Sequence, residues 1–254
     1  MVERESYEHG VPSWVDLGTP DLAAAERFYG GLFGWQVEQG PPEAGGYAMA
    51  TLRGRNVAGL GPQQNPGPPV WATYVNVDDV DAVAAKVDEG GGKTLVPPMD
   101  VLDAGRMAIF TDPLGAAFGV WQPRSHTGAQ LVNEPGAFCW SELLTTDVGL
   151  ARDFYSGVFG WDSETHGDGP DAYTELKAGG RSIAGMMRKP DGVPAEMPPY
   201  WAVYFGVADV DEAVARVGTL GGSTLAEPRT IEAGRFAVVA DPHGAAFGVF
   251  GMGD

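Results

Sequence analysis

The chain contains an internal repeat, and this repeat constrains its fold more than any other sequence feature. Residues 14–35 read WVDLGTPDLAAAERFYGGLFGW and residues 140–161 read WSELLTTDVGLARDFYSGVFGW, at an offset of 126 positions (140 − 14). A GAAFGV motif that follows an Asp-Pro dipeptide also occurs twice, within residues 112–120 and 241–249. Because the matches extend over nearly the whole chain of 254 residues, they predict two tandem copies of one domain.

We predict a first domain over residues 1–125, a linker over residues 126–136 and a second domain over residues 137–254. The linker contains Gln, Gly, Asn and Pro, which suit an exposed connection, so we expect His126 within it to be solvated. The two similar halves are expected to pack on each other as a pseudo-dimeric monomer, with a homodimer as the alternative.

Each half contains a weaker repeat of its own, in which a strand leads into a helix that starts at an Asp. Asp21 and Asp79 mark the two helices of the first half, and Asp147 and Asp209 mark those of the second. Apolar residues follow at spacings of three and four, which predicts amphipathic helices. Three short strands, separated by Gly and Pro, come after each helix. The predicted fold is therefore α+β, with four βαβββ modules.

Four such modules, with FYxxxFGW at the helix end and DPxG before the last strand, resemble the vicinal-oxygen-chelate superfamily. That superfamily includes glyoxalases, bleomycin resistance proteins and extradiol dioxygenases. The chain is most similar to tandem two-domain actinobacterial members described as glyoxalase-like or as hydroxylases. The resemblance implies that the two modules of each half form one curved mixed sheet shaped as a cup. In the superfamily, this cup typically holds a divalent metal on two His and two Glu.

The positions that the resemblance assigns to these metal ligands carry no metal-binding side chain here. They are Trp14, Gly59, Ala72 and Gly119 in the first half and Trp140, Gly185, Ala202 and Gly248 in the second. Metal binding needs thiolate, imidazole, carboxylate or similar donors, which none of these side chains offers. We therefore predict that neither cup holds a metal or another cofactor.

The same strands predict what lines the cups instead. Side chains alternate between the two faces of a strand, so Asp16 should share a face with Trp14, and Glu142 should share one with Trp140. Small residues would leave room for a planar guest between aromatic walls, although ordinary core packing is the alternative explanation. The facing of Tyr47 and Tyr173 stays open. The predicted ligand-binding residues are Trp14, Asp16, Tyr47, Gly59, Tyr74, Gly119, Trp121, Trp140, Glu142, Tyr173, Gly185, Tyr204, Gly248 and Phe250.

Composition and charge limit the classes of partner. The net charge of −18 repels both nucleic acid and anionic membrane surfaces. The sequence has no apolar run of transmembrane length, and its N-terminus lacks the apolar stretch of a secretory signal. Cys139 is the single cysteine, so no intramolecular disulfide can form. We therefore expect a cytoplasmic protein whose partner is a small molecule.

Three functions follow from these features. The leading hypothesis is a metal-free binding protein for a planar or aromatic metabolite or drug. The second is a metal-independent enzyme, hydroxylase-, isomerase- or lyase-like, that uses Asp16 or Glu142 as a general base, because burial raises the pKa of a carboxyl group. The third is a metalloenzyme with relocated ligands, such as Glu142 and Glu175 with a nearby His.

Overall fold

The computed structural model describes residues 2–64, 67–194 and 196–252, and within them it has four α-helices and eighteen strands. The first half comprises β1 (Val2–Glu3), β2 (Pro12–Thr19), α1 (Leu22–Phe33), β3 (Gln36–Gln39), β4 (Ala48–Leu52), β5 (Arg55–Pro62), β6 (Val70–Asn76), α2 (Val80–Glu89), β7 (Lys93–Val101), β8 (Gly105–Thr111) and β9 (Ala117–Pro123). The rest comprises β10 (Leu131–Val132), β11 (Phe138–Thr145), α3 (Val148–Phe159), β12 (Asp162–His166), β13 (Tyr173–Ala178), β14 (Arg181–Arg188), β15 (Tyr200–Val207), α4 (Val210–Thr219), β16 (Ser223–Ile231), β17 (Gly234–Ala240) and β18 (Ala246–Gly251).

Each half forms one mixed sheet from two modules. The strand order of the first sheet is β3-β4-β5-β2-β6-β9-β8-β7, and the second repeats it as β12-β13-β14-β11-β15-β18-β17-β16. At the centre, β2 is parallel to β5 and antiparallel to β6, and β11 pairs in the same way with β14 and β15. This topology confirms the predicted α+β fold and its four βαβββ modules.

The repeated aspartates cap the helices. Asp21 accepts a hydrogen bond from the backbone N–H of Ala24 at 2.9 Å, and Asp147 accepts one from Leu150 at 3.0 Å. The aspartates before α2 and α4 also cap their helices. A capping side chain satisfies backbone donors that the first helical turn leaves without a partner. The spacing that reveals the repeat therefore reports helix starts rather than a site.

The FYxxxFGW and DPxG motifs join the two halves. Tyr29 of α1 donates a hydrogen bond to Asp241 of the other half at 3.1 Å and accepts one from Trp71 Nε1 at 3.0 Å, all in buried positions. The second copy repeats this arrangement with Tyr155, Asp112 and Trp201. Helix α1 contacts α4 and helix α2 contacts α3, so each apolar core contains side chains from both halves.

The segment at residues 126–136, predicted to be exposed, is packed into the molecule instead. Leu131 and Val132 are buried and form β10, which pairs with β11. Trp35 Nε1 donates a hydrogen bond to the carbonyl of Gly136 at 2.7 Å, and Glu134 is only 8% exposed. The polar composition of the segment was misleading, because its few apolar residues face the interior of the molecule.

Among the described residues, no helix has both the length and the apolar character needed to cross a membrane.

Candidate functional site

Each curved sheet carries one carboxylate on the central strand of its inner face, surrounded by aromatic side chains. We call the face lined by Trp14, Asp16, Tyr47, Tyr74 and Trp121 the first cup. We call the face lined by Trp140, Glu142, Tyr173, Tyr204 and Phe250 the second cup.

A chain of hydrogen bonds connects the polar groups of the first cup. Trp14 Nε1 donates to the hydroxyl of Tyr47 at 2.9 Å, and this hydroxyl donates to Asp16 Oδ2 at 3.3 Å. The hydroxyl of Tyr74 forms a second hydrogen bond with Asp16. Alternation along β2 thus places the indole and the carboxylate on one face, as the sequence predicts. It also shows that Tyr47, whose facing was open, points into the cup.

The second cup repeats the same network. Trp140 Nε1 donates to the hydroxyl of Tyr173 at 2.8 Å, and the hydroxyl of Tyr204 donates to Glu142 Oε2 at 3.0 Å. Tyr173 also forms a hydrogen bond with Glu142. The structure therefore brings together, in both halves, the aromatic and acidic residues that the sequence singles out.

Burial raises the pKa of both carboxyl groups. Desolvation raises the pKa of Asp16 to about 7, although hydrogen bonds from Tyr74 and Tyr47 act in the opposite direction. Desolvation also raises the pKa of Glu142, and it is opposed by hydrogen bonds from two tyrosines and by the charge of Arg229. Each cup thus offers a carboxyl group that holds its proton more tightly than an exposed carboxyl group does.

The glycines at the superfamily's metal positions lie beneath tyrosine rings. A Cβ added to Gly59 would overlap the hydroxyl of Tyr47, and a Cβ on Gly185 would overlap that of Tyr173. The rings of Tyr74 and Tyr204 cover Gly119 and Gly248 in the same way. The space that the sequence analysis expects for a guest at these glycines is therefore occupied by tyrosine. The alternative interpretation, that small residues accommodate an aromatic ring, holds at these four positions.

A metal does not fit the superfamily's positions in either cup. The single carboxylate of each cup accepts hydrogen bonds from tyrosines, and the side chains at the assigned metal positions provide no donor atom.

A different set of possible ligand atoms lies on β12 and β13. Glu164, His166 and Glu175 each offer one atom within 4.8 Å of the others, with His166 Nε2 at 3.7 Å from Glu175. Lys177 forms an ion pair with Glu164 and lies 3.5 Å from Glu175, so one ammonium group already pairs with both glutamates of this cluster. Glu142 is not among its members, which separates the cluster from the relocated metal site considered from the sequence.

His126 closes the first cup. Its ring packs edge-on against Trp14 at 4.4 Å and against Trp121 at 5.6 Å, and Trp121 Nε1 donates to its carbonyl at 2.9 Å. Burial lowers the pKa of His126 to about 4, and within the described ranges its Nε2 has no hydrogen-bond partner. The expectation that His126 is solvated is wrong, because the packed linker carries it onto the two indoles. Trp14 is consequently only 4% exposed.

The second cup is more open and has two charged residues near it: Glu175, which the sequence suggests only as a relocated metal ligand, and Arg229, which no sequence pattern singles out. Trp140 is half-buried, and in the part of the chain that the structure describes its indole has no ring stacked against it. Strand register places Glu175 beside Gly185, and Arg229 beside Phe236. The same register in the first cup holds Met49, Met99 and Met107. Aligning the two halves by position would have shown that Glu175 corresponds to Met49 and that Arg229 corresponds to Met99.

Both halves match family models. Residues 12–120 match the Glyoxalase/Bleomycin resistance protein/Dioxygenase superfamily, and residues 139–250 match the Glyoxalase-like domain. The "Putative glyoxylase CFP32" of Mycobacterium tuberculosis is 47% identical to this chain, over 98% of this chain and 97% of the relative. The "Anthracycline biosynthesis protein DnrV" of Streptomyces peucetius is 40% identical, over 96% of this chain and 94% of the relative.

Solved structures share the fold at low sequence identity. The Mn(II)-bound glyoxalase from Novosphingobium aromaticivorans superposes with a TM-score of 0.67 at 19% identity, covering 96% of this chain and 83% of that chain. The 2,2',3-trihydroxybiphenyl 1,2-dioxygenase from Sphingomonas wittichii strain RW1 gives 0.66 at 17% identity, covering 96% and 90%. These similarities support the tandem architecture of two curved sheets.

Proposed function

This chain belongs to the glyoxalase/bleomycin resistance protein/dioxygenase superfamily, and from that premise we propose that it is a metal-free binding protein for a planar aromatic small molecule. We propose further that the second cup is the binding site. The observation that carries the proposal is the hydrogen-bonded network of Trp140, Tyr173, Tyr204 and Glu142 on an inner face where the indole is only half-buried.

The chemistry of this network suits a flat ligand. An indole and two phenol rings provide an apolar wall, while the carboxyl group of Glu142 provides a polar contact. A relative at 40% identity is named as an anthracycline biosynthesis protein, which supports a polycyclic aromatic ligand for this chain. The first cup has the same polar groups, but the ring of His126 packs against its two indoles, so we assign it a structural role.

A second candidate function is a metal-independent enzyme in which Glu142 or Asp16 acts as a general base. The raised pKa of both carboxyl groups favours it, because a carboxylate with a raised pKa is a stronger base in proton transfer. Chemical change of a bound compound, followed by mass spectrometry, would distinguish this candidate from simple binding.

Several features of the whole chain support proposals about its partners, its localisation and its domain arrangement. The net charge of −18 supports partners other than nucleic acid or membranes. Burial raises the pKa of the Cys139 thiol to about 12, which suits an unreactive thiol in the cytoplasm. The shared cores support a pseudo-dimeric monomer made of domains 1–125 and 137–254.

The test is isothermal titration calorimetry of the protein with 2-aminoanthraquinone, a planar ring system whose amino group can donate a hydrogen bond to Glu142. Trp140→Phe and Glu142→Gln are each expected to weaken binding about 10- to 100-fold, since each removes a contact with the ligand. Trp14→Phe and Asp16→Asn are the matched controls and should leave the affinity unchanged. Equal affinity in all four variants, or no binding to the parent protein, would contradict the proposal.

A further inference from the structure

Arg229 is a charged side chain of the second cup that has no polar partner. Its guanidinium carbon lies 4.6 Å from the centre of the Phe236 ring, and the residue is exposed. Among the residues that the structure describes, Arg229 forms neither a hydrogen bond nor an ion pair. All of its N–H donors are therefore available to a ligand.

Other arginines on the equivalent strands form ion pairs, which Arg229 does not do within the described residues. Arg235, on the adjacent strand β17, donates to both carboxylate oxygens of Asp211 at 2.9 Å and 2.8 Å, and to Thr230 at 3.3 Å. Arg106 of the first half is held in the same way by Asp81 and by Asp100. Arg229 differs because, within residues 2–64, 67–194 and 196–252, it forms no ion pair with an acidic side chain.

Contacts through Phe236 connect Arg229 to the proposed binding site. The Phe236 ring packs edge-on against Tyr204 at 6.2 Å, and Tyr204 donates its hydrogen bond to Glu142. The positive charge of Arg229 is close enough to Glu142 to act against the rise in the pKa of that carboxyl group. Arg229 therefore faces the same inner surface as the aromatic network.

We propose that Arg229 binds an anionic group, a carboxylate or a phenolate, on the planar ligand of the second cup. The inference rests on the proposed function and specifies its ligand class. A guanidinium offers paired N–H donors that match a carboxylate, and it keeps its charge at any physiological pH. In the first cup, strand register places Met99 at this position, so that cup has no equivalent group.

The charges across the cup also give the ligand an orientation. Glu164 and Glu175 lie on β12 and β13, near the opposite end of the sheet from β16, which carries Arg229. An anionic group placed near these glutamates would be repelled. The anionic end of the ligand is therefore directed towards Arg229, and its ring lies against the aromatic wall.

A matched pair of probes tests this inference. Anthraquinone-2-carboxylate and anthraquinone-2-carboxamide have similar shapes but differ by one negative charge. Calorimetry on the parent protein is expected to show about tenfold tighter binding of the carboxylate than of the carboxamide. The reason is that Arg229 forms an ionic hydrogen bond only with the charged probe, at a partly exposed site. In Arg229→Met, which installs the residue of the first cup, this preference should disappear.

Two further variants serve as controls. Arg229→Lys keeps the charge and should keep part of the preference, and Arg152→Met removes an exposed charge from α3 and should keep all of it. Equal affinity of the two probes for the parent protein, or a preference that survives Arg229→Met, would overturn the inference while the proposed function stands. If neither probe binds the parent protein, the proposed function fails, and the inference fails with it.

Discussion

The two cups have the same hydrogen-bonded network but different surroundings. In both, an indole N–H is bonded to a tyrosine hydroxyl and a buried carboxylate accepts from tyrosines. The first cup is closed by His126 and lined by methionine, and the second is open and lined by charge. The duplicated central strands set the network, whereas the linker and the outer strands determine which side chains surround it.

Under the proposed function, this difference separates a cup that only packs from a cup that binds within one molecule. The network of the first cup is part of the packed interior of the folded protein. Burying its carboxylate costs free energy, which appears as the raised pKa of Asp16. A similar network next to an unpaired guanidinium can contact a solute. Each cup therefore serves as an internal control for the other.

The largest expected effect concerns the charge of Asp16. Its folded-state pKa, about 7, lies above the ordinary value of 3.8. The stability that this group contributes is therefore present below about pH 4 and is lost as the pH rises through 7. Asp16→Asn should raise the free energy of unfolding at pH 8 by roughly 2–4 kcal/mol and change it little at pH 4. Urea denaturation at the two pH values measures this difference.

Glu142→Gln provides the comparison between the cups. The charge of Arg229 opposes the rise in the pKa of Glu142. Glu142→Gln should therefore raise the free energy of unfolding at pH 8 by less than Asp16→Asn does. A gain that is equal in the two variants would remove the distinction between a closed and an open cup.

The next effect concerns the glycines beneath the tyrosines. Gly59→Ala forces Tyr47 to move within a closed cup and should cost about 2–3 kcal/mol, while Gly185→Ala displaces the more exposed Tyr173 and should cost about 1 kcal/mol. Thermal unfolding followed by circular dichroism gives both values. A larger loss in the second half would mean that the second cup is the more tightly packed one.

The smallest effect concerns the imidazole of His126. His126→Phe keeps a ring against Trp14 and removes a buried nitrogen that lacks a partner, so it should stabilise the fold by about 1 kcal/mol at pH 7. The folded pKa of His126, about 4, lies below the ordinary value of 6.5. The parent should therefore lose stability as the pH falls from 6.5 through 4, and His126→Phe should not.

This comparison is best made in an Asp16→Asn background, since Asp16 also titrates in the first cup. A variant that is less stable than its parent at pH 5 would show that His126 finds a polar partner in the folded protein.

The sequence alone determined the architecture and the pairing of an indole with a carboxylate on the central strand of each cup. The repeat at a fixed offset predicts two copies, and helix and strand periodicity predict the modules, because both follow from local backbone geometry. Alternation along one strand was enough to place Asp16 beside Trp14 and Glu142 beside Trp140, and the structure shows each pair on one face.

Only the tertiary structure decided which residues fill each cup. The tyrosines over Gly59 and Gly185 come from a neighbouring strand, and His126 comes from a segment whose composition suggested exposure. Arg229 reaches the second cup from the far side of the sheet. These contacts depend on strand order and sheet curvature, which join residues far apart in the chain, whereas a sequence pattern reports only the faces of a single element.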